Sequence, residues 1–566
     1  MEGNEVNGDA FDHATLLATL RQASPEELAE KLDSLVQLLG ERQFCRMAAS
    51  HLVLFARPEI AIPKSLHRFV PLVRDGIEFF LAQMSYPRLR RVLLSRYLLR
   101  EGGEPGERLL NLALFFPTLH KLGQVIARNP HIDPEVKKWL VGLEHGDYGS
   151  DPELQIVAIR DQLALLDAPP EIEIAPRIVG EASVATVLPF HCSPSAPDRQ
   201  EKGVFKILKP GVQEDLLEEL DILADTFAFL EENRDRYSLE EMKLTSIFRE
   251  IRGDMAREVD LAAEQRHLSE AVKIYEKVPG VRIPRPMPYS TATMTAMEYI
   301  HGKKIGDIVF SPRQRKALAR RIFETVLCVP LFAEQDKALF HGDPHAGNIM
   351  VLPGDDRQGF QVALLDWTLA GYMSKRLREL VMTLLLGIMK NDSRTLAGVV
   401  ESLVIEPEQA GIDREYLAGK IRVLLGSPEY LSADPLRKSF LLLEKMTLDG
   451  IVFPSELILF RKAFFTLEGV LHDIHPRFAM GEAMEVYLAR LLMKELPLRL
   501  STSIFPVADR AANYRSLLSN KALKELSLYQ SLALWRQSMG LASSFFGTQL
   551  KLLDDFYLYY SWKRPG

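Results

Sequence analysis

Cysteine is scarce in this sequence. Of 566 residues, three are cysteine (Cys45, Cys192 and Cys328); they stand far apart and form no CxxC pair. That excludes a disulfide framework and a thiolate zinc site, and it fits a reducing, cytoplasmic setting. A basic excess is also missing: Lys and Arg against Asp and Glu give 69 − 76 = −7. With no positive surplus to neutralise phosphates, nucleic acid is not an expected partner. No apolar run reaches the ~18 residues that mark a membrane-spanning helix. The opening MEGNEVNGDAFDH has neither the basic nor the apolar part of a secretion signal, so none is expected. There is no internal repeat and no low-complexity tract. What remains is a globular composition, 47% hydrophobic and 26% charged, long enough for two to four compact units at ~150 residues each.

Most of the chain reads as helix. Ser24-Pro25-Glu26-Glu27 combines an N-cap, a first-turn proline and a capping-box glutamate. Leu28, Leu32, Leu35 and Leu39 follow at helical spacing, and Gly40 ends the run. After Ala168-Pro169-Pro170 the period changes. Glu171–Ile178, Ser183–Pro189 and Val204–Leu208 are short, β-branched and bounded by turn residues, which reads as strands. Helical patterns over Val212–Asn233 and Leu239–Glu276 follow, then strand-like Pro286–Tyr289 and Thr293–Ile300. Ile349–Leu365 reads as a hairpin turning at Pro353-Gly354-Asp355-Asp356, and everything beyond Lys375 is helical in pattern. A small sheet flanked by helices implies an α+β fold.

The densest chemistry lies in FHGDPHAGNIMVL, Phe340 to Leu352. His341 and His345 are four apart, a zinc spacing on a helix, but Gly342, Pro344 and Gly347 make this a loop. Asp343 and Asn348 bracket four residues, and the next aspartate set in an apolar run is Asp366, in ALLDWTLAG. An Asp beside an acceptor hydroxyl, with an Asn and a later Asp holding magnesium, is what kinase-type phosphoryl transfer uses. Magnesium takes hard oxygen donors and few of them from protein, so an amide and a carboxylate suffice. The other reading is an Asx-rich turn before a hairpin.

Phosphoryl transfer requires further parts. Lys206, in GVFKILKPG, stands inside an apolar strand, where an ammonium needs an anionic partner. Lys209 is its rival, expected to be exposed because it precedes Pro210 at the strand exit. Glu264, in REVDLAAEQRHL, is the candidate partner for Lys206. TAMEYIHG, Thr295–Gly302, has the extended character of a hinge whose backbone groups near Glu298 and Ile300 receive an adenine edge. No G-x-G-x-x-G precedes Lys206; GEASVATV occupies the phosphate-loop position, and the small Ala182 and Ser183 let backbone N–H groups approach phosphates.

These residues resemble the UbiB/AarF family of atypical protein-kinase-like ATPases, linked to ubiquinone and isoprenoid lipid metabolism. HGDPHAGNI is similar to the family's HxDPHPGN loop, Lys121, Gly123 and Gln124 to its KxGQ segment, and Glu258-Val259-Asp260 to its ExD motif. GEASVATV stands where the family carries an alanine-rich loop. The resemblance covers about Leu110 to Tyr372. It implies a bilobal protein-kinase-like fold with a small antiparallel sheet in the N-lobe, a KxGQ helical insertion and mostly helical terminal extensions. The expected divisions are an N-terminal helical region 1–102, the KxGQ segment 103–170, an N-lobe 171–302, a C-lobe with the catalytic loop 303–400 and a helical extension 401–566. ATP and magnesium are the implied ligands. Lys206 and Glu264 would pair to position phosphates, Asp343 would be the catalytic aspartate, and Asn348 and Asp366 would hold magnesium. Lys121 and Gln124 would meet Glu258 and Asp260 as regulatory residues. Glu258 and Glu264, six apart, would lie about 240° apart on one helix and so face different partners. In the family the KxGQ helix blocks protein-sized acceptors, which implies a small or lipid-like acceptor, or hydrolysis alone.

Three departures from the pattern stand out. Gly180-Glu181 replace the first two alanines, placing a carboxylate near the triphosphate and bearing on ATP against ADP preference. Asp366-Trp367-Thr368 replaces Asp-Phe-Gly, stiffening that turn, and Ala346 replaces a proline. The rivals are an aminoglycoside- or choline-kinase-like phosphotransferase, which shares HGDxxxxN and Asp-Trp, and a nucleotide-binding pseudokinase scaffold. The aromatic, basic-ended FFGTQLKLLDDFYLYYSWKR suits a helix packed on the C-lobe and also suits peripheral contact with a membrane.

Overall fold

A computed structural model describes residues 24–62, 64–94, 105–127, 150–167, 171–192, 201–237, 244–354, 359–405, 414–504 and 509–528. The chain divides into two compact units: Met1–Ser269 with Pro284–Tyr299, and Glu270–Ile283 with Ile300–Gly566.

In the first unit, helices lead into a sheet. Helix Pro25–Leu39 begins with the expected capping box, Ser24 accepting from the Glu27 N–H and Glu27 reaching back, and its C-cap is Gly40. Helices Glu41–Ala56, Val70–Ala82, Tyr86–Leu94, Pro105–Leu114 and α1 (Pro117–Ala127) follow. They share an apolar core with α2 (Val212–Glu232) and α3 (Leu244–Glu258), built from Phe44, Leu52, Phe80, Phe116, Leu223 and Met255. Strands β1 (Ile172–Ile174), β2 (Gly180–Glu181), β3 (Ala185–Cys192), β4 (Glu201–Leu208) and β6 (Met294–Glu298) form the sheet. Its order is β1-β3-β4-β6, with β2 added to β3, and every pairing is antiparallel. The alternation of β4 decides its two faces. Phe205 and Ile207 pack with Phe190, Ile156 and Ile159, while Lys206 between them takes the other side. Pro286–Tyr289 supplies only an isolated bridge, Pro286 to Met297.

The 239–276 segment is interrupted. α3 stops at Glu258 and α4 (Leu261–Tyr275) begins after Asp260, whose carboxylate accepts from the Ala263 N–H as an N-cap. Glu258 and Glu264 therefore stand on different helices, and the single-axis angle between them does not apply.

In the second unit, β5 (Val281–Arg282), β7 (Lys303–Lys304), β9 (Ile349–Pro353) and β10 (Phe360–Leu364) form a sheet of order β5-β10-β9-β7. β9 and β10 are the expected hairpin, Ile349 opposite Leu364. A second ribbon joins β8 (Lys337–His341) to β11 (Ala370–Ser374), His341 opposite Ala370. Helices continue from Lys375–Lys390 to α5 (Met480–Ile504), around Leu384, Phe440, Phe460 and Phe464. Among the described residues, no helix is long and apolar enough to cross a membrane.

Candidate functional site

The site residues of the first unit gather around β4. Its register places Gly180, Val187, Lys206 and Thr295 in one row across β2, β3, β4 and β6. The Lys206 ammonium lies 2.8 Å from Glu264 Oε1 on α4, both side chains buried. A buried ammonium is costly without such a partner, and the pairing is the one anticipated.

Lys121 is buried on α1 and ion-pairs with Glu258, as expected, and also with Asp254 at 3.6 Å. Sequence reasoning missed Asp254; its four-residue spacing from Glu258 on α3 was the available signal. Asp260 is exposed and caps α4. Lys121 thus pairs with Glu258 and Asp254, and the Asp260 carboxylate, expected beside the Lys121 segment, accepts at the start of α4. The Gln124 side chain lies outside the described residues.

The loop joining β2 to β3 is pinned on both sides. Ser183 Oγ donates to Glu258 Oε2 at 3.3 Å, and the Ala182 N–H closes the turn onto Ala185 O at 2.9 Å. Glu181 accepts from Ser150 and lies 3.0 Å from the Lys209 ammonium. Lys209 is therefore not exposed at the strand exit: it is half-buried, and burial lowers its pKa while Glu181 pulls it back up. The Glu181 carboxylate is matched by this cation. On the hinge segment, the Glu298 N–H donates to Arg285 O at 2.9 Å, the Tyr299 N–H to Lys202 O at 3.1 Å, and Ile300 O accepts from Gly302.

In the second unit, the loop after β8 is a hydrogen-bonded cage. His341 is buried with both ring nitrogens engaged: Nδ1 accepts from the Asp343 N–H at 3.2 Å, and Nε2 sits 2.8 Å from Leu365 O. That pattern fixes the neutral tautomer carrying its proton on Nε2. Burial lowers the His341 pKa in the same sense. His345 Nδ1 accepts from the Gly347 N–H at 3.0 Å. Both histidines shape the loop, which answers the zinc spacing noted in the sequence. The Asn348 amide donates to Asp343 O at 3.1 Å, turning its oxygen away from that carbonyl. The Leu365 N–H donates to Asn348 O at 2.8 Å, extending the β9–β10 ladder to the residue before Asp366. The structure thus brings Asp343, Asn348 and the Leu365-Asp366 step into one network.

Two backbone features hold this network. Gly342 donates to Leu369 O at 2.6 Å, and a Cβ on it would stand 2.5 Å from that oxygen, so no side chain fits. Asp366 adopts φ 51°, a left-handed conformation that Asp tolerates better than most residues. Thr368 secures it, its N–H at 3.2 Å and its hydroxyl at 2.5 Å donating to Asp366 Oδ1. Trp367 is fully buried, edge-on to His341 at 5.0 Å and tilted against Tyr275.

This arrangement has a counterpart among known proteins. Residues 173–400 match the ABC1 atypical kinase-like domain. The curated relatives that the chain matches carry UbiB and aarF names. "Probable protein kinase UbiB" of Xanthomonas campestris pv. campestris is 24% identical over 389 residues, covering 66% of this chain and 68% of that one. An "uncharacterized aarF domain-containing protein kinase", At5g05200, chloroplastic, of Arabidopsis thaliana is 28% identical over 339 residues, covering 54% and 57%. A solved complex of Rv3197 with erythromycin from Mycobacterium tuberculosis aligns over 57% of this chain and 81% of that one, at 18% identity and TM-score 0.36. The α+β, atypical-kinase-like fold agrees with the antiparallel five-stranded sheet of the first unit.

Proposed function

We propose that this protein is a UbiB/AarF-type atypical kinase that binds magnesium-ATP and hydrolyses it or passes its terminal phosphoryl group to a small or lipid-like acceptor, in the cytoplasm or at a membrane surface, in support of quinone or isoprenoid lipid metabolism. The observation that carries the proposal is the network joining Asp343, Asn348 and Leu365, the residue before Asp366. Its bonds tie together the segments that carry Asp343, Asn348 and Asp366, and an amide oxygen with a carboxylate is a donor set that suits magnesium. Bound there through Asn348 and Asp366, the ion would neutralise charge on the phosphate oxygens.

The chain's own residues supply the rest. Lys206, held by Glu264, presents a fixed ammonium to the nucleotide phosphates. Ala182 and Ser183 offer a small-residue turn for phosphate approach, and backbone groups at Glu298 and Ile300 receive the adenine edge. Asp343 lies beside the acceptor hydroxyl and takes its proton. Lys121, with Glu258 and Asp254, holds α1 against the Ser183 loop and limits what reaches it, which favours a small acceptor.

The test is ATP turnover in magnesium, with and without a lipid extract or phenolic quinone-precursor mimics. Wild type is expected to turn over and to respond to lipid, and Asp366→Asn to fall to background. Equal near-zero rates in both proteins would favour a nucleotide-binding scaffold. Direct turnover of aminoglycoside or choline would favour the small-molecule phosphotransferase.

A further inference from the structure

The ribbon of β8 and β11 carries the candidate site at one end. Asp343 follows β8, Asp366 precedes β11, and the Gly342 N–H closes that end onto Leu369 O at 2.6 Å. The strands themselves say little about register. Ala338, Leu339, Phe340 and His341 are all buried, so β8 has no polar face that a shift would drive into the core. In the middle of the ribbon, Gly371 leaves room for the Phe340 ring, which lies 2.6 Å from where a Cβ would stand. A slip of one residue moves a strand by about 3.3 Å, enough to break every bond that Asp343 makes.

The other end of the ribbon is held by two arginines. Arg378 stands in the first turn of helix Lys375–Lys390, which continues β11. Its Nη1 donates to Leu331 O at 3.3 Å and to Ala333 O at 2.5 Å, and its Nη2 donates to Gln335 O. The Lys375 N–H donates to Asp336 O at 2.6 Å. Arg515 Nε donates to Phe332 O at 3.0 Å, and its Nη1 lies 3.1 Å from Glu334 Oε1. The six residues that lead into β8 are thus gripped carbonyl by carbonyl. Arg515 is itself fixed through its neighbour: the Ser516 N–H donates to Glu495 Oε1 at 2.6 Å, and Arg499 donates to Ser516 Oγ at 2.8 Å.

The chemistry of Arg378 is unusual for a merely solubilising or surface cation. It is 0% exposed, and among the described residues it forms no ion pair. Burial lowers its pKa, and the charges of Asp336 and Glu379 offset part of that. Burying a cation on backbone carbonyls alone is costly, so apolar packing would serve plain stability better. What the guanidinium adds is a planar fork of donors that reaches three carbonyls at once and fixes their spacing. Lysine, a single point of charge, cannot do the same.

We propose that Arg378 is a positioning residue for Asp343: with Arg515 it holds the far end of the β8–β11 ribbon, and through the strand pairing it sets where Asp343 stands. This deepens the phosphoryl-transfer reading above, on which it rests for the role of Asp343, and every residue in it belongs to the second unit. It also gives Arg515, which lies beyond the matched residues 173–400, a part in shaping the site. Asn348 and the Leu365-Asp366 step are tied to the separate β9–β10 hairpin, so loosening the ribbon displaces Asp343 more than the magnesium donors. The test compares the full-length wild type with Arg378→Lys and Arg515→Met by two readouts, amide exchange without nucleotide and ATP turnover in magnesium. In Arg378→Lys, exchange over Lys337–Gly342 is expected to speed at least about tenfold, with the distant helix Glu41–Ala56 unchanged. Its kcat is expected to fall at least about tenfold while KM for ATP stays within about twofold, the signature of a displaced reacting group. Arg515→Met, which gives up one carbonyl, is expected to move both readouts the same way by about threefold.

Unchanged exchange over Lys337–Gly342 in Arg378→Lys overturns the proposal, because the ribbon is then held without the arginine. So does a loosened ribbon with kcat intact, or a KM that rises as far as kcat falls, which marks general damage to the site. Should Arg378→Lys fail to fold, Arg515→Met decides alone, since its side chain is 40% exposed and its loss leaves the core intact. A wild type without ATP turnover counts against the proposed function; exchange then judges the clamp by itself, faster exchange upholding it and unchanged exchange overturning it.

Discussion

At the residue scale, buried charges carry the account. Lys206 and Glu264 are each other's reason for being buried, and removing one leaves an uncompensated charge. Lys206→Met is expected to cost about 3–5 kcal/mol of unfolding free energy, measured by denaturant titration. Adding Glu264→Gln is expected to return much of that loss; a double variant as weak as the single one would contradict the pairing. His341 yields a pH dependence. Burial sets its folded pKa below the ordinary 6.5, so the unfolded chain binds more protons over that interval. Stability then rises with pH there and is lost as pH falls below about 6.5. His341→Gln is expected to flatten this slope in melts taken from about pH 7.5 down to 5; an unchanged slope would place the titrating group elsewhere. Both side chains were legible early: a lysine in an apolar strand needs an anion, and HGD next to an Asn marks a loop. Asp254 was not, because an acid inside a helix is common and its value appears only when Lys121 is laid beside it.

At the element scale, the position of α1 is set from outside. Its first turn has N–H groups that no residue within it can satisfy. Glu219, buried on α2, supplies the acceptor: the Thr118 N–H lies 3.0 Å and its hydroxyl 2.8 Å from Glu219 Oε2. Arg88 pairs with the same carboxylate and with Asp215 at 2.7 Å. Burial raises the Glu219 pKa, and Arg88 and Thr118 oppose that rise. Lys121 follows one turn later, so this anchor fixes where it meets Glu258 and Asp254. Glu219→Ala is expected to lower stability by about 3–5 kcal/mol and to speed amide exchange in Pro117–Ala127 ahead of other helices. Uniform exchange across the first unit would contradict a local anchor. Sequence reading located the β9–β10 hairpin because its strands are neighbours. It missed β8 and β11, whose pairing spans some thirty residues and whose sequences, KALFH and AGYMS, carry no clear alternation. It also drew Leu239–Glu276 as one helix, although Asp260 was a legible N-cap once α4 was known to begin there.

For the whole molecule, the fold class could be read from the switch between helical and strand periods, and the family from motifs far apart in the chain. The clamp of Arg378 and Arg515 could not be read, because an arginine in a helical run does not say which distant carbonyls it meets. The central claim is the proposal that this protein binds a magnesium nucleotide and that Lys206, Asn348 and Asp366 are each needed for it. Its most direct test is equilibrium binding of a fluorescent ATP analogue, with and without magnesium, to wild type, Asp366→Asn and Lys206→Met. Wild type is expected to bind only with magnesium, and each variant to weaken that binding at least about tenfold. Binding of equal strength in all three proteins, or indifferent to magnesium, would contradict the claim.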